Sequence, residues 1–143
     1  MLPEGGSVVT TGGERGQAHR KHVFVINGAP EFLGLMRRLF QSERYNVTTT
    51  NFVPNSFAQI AALQPDGLII DLALRERVGW ELLERLHGEA ATSGIPVIVV
   101  STQPDLLDRA HEQIARYGGN AYLEKPFHLT AMLQAIEALI GPA

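Results

Sequence analysis

The sequence predicts an α/β fold of three layers, in which a parallel sheet of five strands carries helices on both faces. Three observations carry that prediction. Short apolar runs alternate strictly with helical patterns from Lys21 onward. Two of the runs, Gly67-Leu-Ile-Ile-Asp71 and Pro96-Val-Ile-Val-Val-Ser101, are continuously apolar, as central strands covered on both faces must be. Each strand is followed by a segment long enough to bring the chain back over the sheet, and a right-handed parallel crossover requires such a helix.

The elements follow in order. His22-Val-Phe-Val-Ile26 is rich in β-branched and aromatic residues and stops at Asn27-Gly28, which suit a tight turn. Pro30 and Glu31 then open a first helix, placing proline and an acid where a helix N-terminus favours them, and Phe32, Met36, Leu39 and Phe40 repeat at helical spacing behind them. Residues 47–50 read as a more exposed second strand, and residues 55–63 as a short helix ended before Pro65. Gly67 to Asp71 is the third strand, and Trp80, Leu83 and Leu86 mark the third helix. Pro96 to Ser101 is the fourth strand. Leu107, Ala110 and Ile114 predict one continuous fourth helix, stopped by Gly118-Gly119. Ala121 to Glu124 makes the fifth strand. Leu129, Met132, Leu133, Ile136, Leu139 and Ile140 form the amphipathic stripe of a fifth helix. Residues 1–20 hold five glycines and no apolar period, which predicts a flexible tail ahead of one folded domain over residues 21–143.

Composition bounds the function. With 143 residues, 45% hydrophobic and 19% charged, the chain can bury a core without staples. A net charge of -3 supplies no basic field for a phosphate backbone, so nucleic acid is not an expected partner. The absence of cysteine excludes disulfides, thiol nucleophiles and thiolate-bound zinc. The apolar runs are far shorter than the roughly 20 residues that span a bilayer, and no secretory pattern opens the chain. A cytoplasmic protein without membrane contact is expected. In an open parallel sheet, ligands bind beyond the carboxyl ends of the strands, and the polar residues there are Asn27, Asp71, Ser101 and Lys125, with Gly28 beside the first.

Those positions carry a resemblance. Pro65-Asp-Gly-Leu-Ile-Ile-Asp71-Leu72, Gly79-Trp-Glu-Leu-Leu83, Pro96-Val-Ile-Val-Val-Ser101 and Tyr122-Leu-Glu-Lys125-Pro126-Phe127 together resemble the receiver domain of two-component response regulators, over Lys21 to Ile140. The resemblance implies a flavodoxin-like sheet of order 2-1-3-4-5 and a non-enzymatic signalling protein in a phosphorelay. Asp71 matches the phosphoacceptor, Ser101 and Lys125 the groups that contact the phosphoryl, and Tyr122 the switch aromatic. The Lys125-Pro126 bond is expected to be cis. A histidine kinase or phosphotransfer protein would be the donor. A downstream protein would dock on the face of the fourth helix, fifth strand and fifth helix, and a homodimer is a further option. The last helix stops within three residues of the end, which predicts a receiver that stands alone.

One motif departs. Family members usually place two acids at the end of the first strand to hold Mg²⁺, and here Asn27 and Gly28 occupy those positions. Asp71, the Asn27 carbonyl and the backbone of Ala73 would make a poor octahedral site, so Mg²⁺ is expected to bind weakly or not at all. The loop after Asp71 also differs: Arg75 or Arg77 could fold over the aspartate, and Glu76 could replace a missing acid. Two rival readings remain. A pseudo-receiver would keep Asp71 and Lys125 as a static pair and serve constitutive binding. A small flavodoxin-like enzyme or nucleotide binder would use the same crevice, but it lacks a glycine-rich phosphate loop after the first strand.

Overall fold

The computed structural model describes residues 20–27, 29–51, 55–72 and 77–143. The expected flexible tail therefore lies outside the described residues, except for Arg20. The elements are β1 (His22–Ile26), α1 (Pro30–Ser42), β2 (Asn46–Thr50), α2 (Ser56–Leu63), β3 (Gly67–Asp71), α3 (Arg77–Gly88), β4 (Val97–Ser101), α4 (Pro104–Glu112), the single turn α5 (Ile114–Tyr117), β5 (Ala121–Glu124) and α6 (Leu129–Ile140). The strands form one parallel sheet in the order β2-β1-β3-β4-β5. Both the layer architecture and the strand order agree with the sequence.

Alternation along each strand divides the core in two. Phe24, Ile26, Leu68, Ile70, Val97 and Val99 point to one face, where Ile60 of α2, Leu82, Leu83 and Leu86 of α3, and Leu106, Leu107 and Ala110 of α4 cover them. Val23, Val25, Ile69, Ile98 and Val100 point to the other, beneath Leu33, Met36 and Phe40 of α1 and Met132 and Ile136 of α6. The central strands β1, β3 and β4 are apolar on both sides because each side has a helix layer to meet. Tyr45, buried just before β2, sets its ring edge-on to Phe40 at 5.7 Å and donates its hydroxyl hydrogen bond to the Gly141 carbonyl at 2.8 Å. That contact fastens the end of α6 to the start of β2.

One predicted element is corrected. The continuous fourth helix is broken at Gln113, whose backbone (φ -107°, ψ 39°) leaves the helical region, and the chain restarts as α5. Ile114, expected on the buried stripe with Leu107 and Ala110, is 46% exposed as a result. After the break, Tyr117 sets its ring against the Trp80 ring of α3 at 4.9 Å.

Candidate functional site

The register of the sheet assembles the site. Ile26 pairs with Ile70 across β1 and β3, so the next residues, Asn27 and Asp71, sit side by side just beyond the carboxyl edge. By alternation both follow the parity of Val25 and Ile69 and face the layer of α1 and α6. Asp71 is level with Val100 of β4, and Ser101 is level with Glu124 of β5. The amide of Lys125 donates to the Ser101 carbonyl at 2.8 Å, which brings the lysine onto the same edge. Lys125 is joined to Pro126 by a cis peptide bond, as the resemblance implies.

Lys125 Nζ lies 3.0 Å from Asp71 Oδ1, with the two side chains 16% and 18% exposed. The ammonium also sits 4.2 Å from the centroid of the Phe32 ring, and Phe127 meets that ring edge-on at 6.1 Å. A cation over an aromatic face gains about 0.5–2 kcal/mol, more as water is excluded. Phe32 entered the sequence reading only as a core residue of the first helix. An aromatic one turn into the helix that follows the first strand was the available signal, but nothing in the sequence says which face of that turn it takes.

Ser101 is fully buried, and its hydroxyl is already engaged: Oγ donates to the Leu72 carbonyl at 2.8 Å and accepts from the Gln103 amide at 3.0 Å. In this arrangement it caps the loop after β4. Tyr122 is half-buried, donates its hydroxyl to the Gly118 carbonyl at 2.9 Å and lies against the His111 ring at 5.1 Å. Burial pushes its phenol above the ordinary value of 10.0.

Asn27 makes a bond that the sequence did not indicate. It is 3% exposed, and its Oδ1 accepts a 2.7 Å hydrogen bond from the Ala29 amide, closing an Asx turn into α1. The expected metal-facing carbonyl is thus committed to the backbone. That bond also fixes the amide orientation, since the reverse would set two donors against each other. Nδ2 is left buried without a hydrogen-bond partner, a state that costs about 1–3 kcal/mol until a partner arrives. Arg77, a candidate cover for Asp71, is instead 88% exposed and reaches along α3 to Glu81 at 4.0 Å. As the first helical residue its side chain follows the helix surface to the residue one turn on. Gly28, Ala73, Arg75 and Glu76 lie outside the described residues.

Receiver domains typically bind Mg²⁺ for phosphorylation. Among the described residues the donors do not suit that ion: one carboxylate is engaged by an ammonium, one amide carbonyl is engaged by a backbone N–H, and the amide's other end is itself a donor.

Comparison with known proteins shows the family and the fold. The family model described as response regulator receiver domain matches residues 23–137. The transcriptional regulatory protein KdpE of Mycobacterium tuberculosis is 30% identical over 118 residues, 82% of this chain and 50% of that protein. Protein PilH of Pseudomonas aeruginosa is 23% identical over 119 residues, 83% of this chain and 97% of PilH. The chain thus spans about half the length of the transcriptional regulators it matches. A response regulator receiver protein from Burkholderia phymatum superimposes with a TM-score of 0.70 at 27% identity, over 87% of this chain and 98% of that one. A putative response regulator from Chloroflexus aurantiacus shares the fold at a TM-score of 0.75 and 19% identity, over 85% and 98% of the two chains.

Proposed function

The chain belongs to the response regulator receiver domain family, whose members act in phosphorelay signalling, and from that premise we infer that Asp71 is its phosphoacceptor. The observation that carries this reading is the 3.0 Å pair of Asp71 with Lys125, largely shielded from water at the carboxyl edge of the sheet. An Asp71 oxygen attacks the phosphorus of a partner's phosphohistidine, the P–N bond breaks, and the imidazole leaves with the bonding pair. Such transfers need little beyond positioning and charge neutralisation. Lys125 supplies the charge, following the new phosphoryl oxygens as they replace the carboxylate. Ser101 supplies a hydrogen bond once its hydroxyl turns from the Leu72 carbonyl.

Output follows from that turn. Tyr122 borders a shallow hollow of about 270 Å³ lined by Pro104, Leu107, Asp108, His111 and Glu124. In the proposed mechanism Ser101's movement frees space behind Tyr122, and a downstream protein reads the altered surface of α4, β5 and α6. The protein would act in the cytoplasm as a receiver that signals through protein contact; among the described residues no helix is long and apolar enough to cross a membrane.

A small phosphodonor tests the acceptor. Incubation with acetyl phosphate should add the mass of one phosphoryl group to the native protein, and Asp71→Asn should add none. A second reading has support of its own, because Lys125 and Asp71 already form an ion pair at 3.0 Å and the Mg²⁺ donors are poor. A pseudo-receiver of that kind would stay unlabelled under every condition.

A further inference from the structure

We propose that this crevice accepts its phosphoryl group without a divalent cation, with Asn27 Nδ2 donating to the phosphoryl oxygen that a metal would otherwise hold. The inference rests on the reading of Asp71 as the acceptor.

Three observations converge. Asn27 is 3% exposed and Nδ2 has no partner, so a donor is held ready in a place where leaving it idle is unfavourable. The sheet register and strand alternation put Asn27 beside Asp71 on the same face, one step past the Ile26 and Ile70 pair. The Asx turn to Ala29 holds the carbonyl away, so the N–H₂ end is the part of the amide left to meet a ligand. The charge is consistent with this. Two acids at the end of the first strand need a dication to cancel them, whereas Asn27 and Gly28 bring no charge, and Lys125 is paired with Asp71.

The ligand class is a tetrahedral oxyanion in covalent attachment. With acetyl phosphate, an Asp71 carboxylate oxygen bonds to phosphorus, the bond from phosphorus to the acetyl oxygen breaks, and acetate leaves with the electron pair; no proton has to be supplied. Of the three oxygens carried by the transferred group, one meets Lys125 Nζ, one Ser101 Oγ after its rotation, and one Asn27 Nδ2. Fixed donors placed where charge develops do the work of an oxyanion hole.

The test compares labelling of the whole protein by acetyl phosphate in EDTA and in excess Mg²⁺, read by intact mass over time. The expected result is the same rate in both. Asn27→Asp keeps an Oδ1 acceptor for Ala29 but removes the N–H₂; its rate in EDTA should fall by about 10²-fold or more and recover in Mg²⁺. Labelling of the native protein only in Mg²⁺ overturns the proposal and leaves Asp71 as the acceptor. Labelling in neither condition overturns both and favours the pseudo-receiver. If Asn27→Asp stays folded in a thermal melt and is labelled in EDTA as fast as the native protein, Asn27 has no part in the transfer. Should that variant not fold, the two conditions on the native protein still decide.

Discussion

His22 opens β1 at the end of the sheet remote from Asp71, and two residues, Thr48 and Asp66, bond to it. Its ring Nε2 lies 2.7 Å from Thr48 Oγ1, and its backbone amide donates to Asp66 Oδ2 at 2.7 Å. Burial lowers its pKa below the ordinary 6.5, and the Asp66 carboxylate opposes that shift only in part. The folded chain therefore binds this proton less readily than the unfolded chain does. The stability that depends on a neutral His22 is complete above pH 6.5 and is lost as pH falls through the lowered folded value. Thermal melts between neutral pH and pH 5 should show a falling midpoint, and His22→Gln should flatten that part of the profile. A slope unchanged by the substitution would assign the acid sensitivity to other groups. Residues of this kind are poorly legible in a sequence. The position of Lys125 could be read from its neighbours Pro126 and Phe127, but the Asx turn of Asn27 and the ring of Phe32 depend on contacts between segments that no local pattern encodes.

At the level of elements, the patterns with the longest apolar repeats were the most legible. The first and last helices, α1 and α6, have the extents that their stripes imply, and β3 and β4 could be read because a strand covered on both faces is apolar throughout. The break at Gln113 was hidden because Leu107, Ala110 and Ile114 fit one period, and no residue in that stretch marks where the backbone leaves it. The turn into β5 depends on Gly119, whose φ of +99° disfavours any side chain and whose added Cβ would lie 2.5 Å from Tyr122 Oη. Gly119→Ala should therefore destabilise the protein by at least about 1–2 kcal/mol from the backbone alone, measurable by urea denaturation. It should also displace the Tyr122 hydroxyl from Gly118, visible as a changed tyrosine signal. A neutral substitution would mean that this loop relaxes freely and does not hold the ring.

Across the whole molecule, the sheet separates two apolar layers that should contribute to stability independently. Leu86 belongs to one layer and Met132 to the other. Each change to alanine should cost about 2–5 kcal/mol. The double variant should equal the sum within about 0.5 kcal/mol, as for distant sites, in a single cooperative transition. Coupling well beyond that, measured by denaturant titration, would show that strain passes through the sheet from layer to layer. The switch proposed above lies at the edge of both layers, and Ser101 sets how quiet it is at rest. To turn inward without a phosphoryl group, the hydroxyl has to abandon the Leu72 carbonyl and the Gln103 amide, both of which it now serves inside the protein. Two such bonds at about 0.5–1.5 kcal/mol each hold the turned form at a disadvantage of roughly 1–3 kcal/mol, or about 5- to 150-fold. That ratio is the noise floor of the signal: the share of unstimulated molecules that a downstream partner would mistake for stimulated ones.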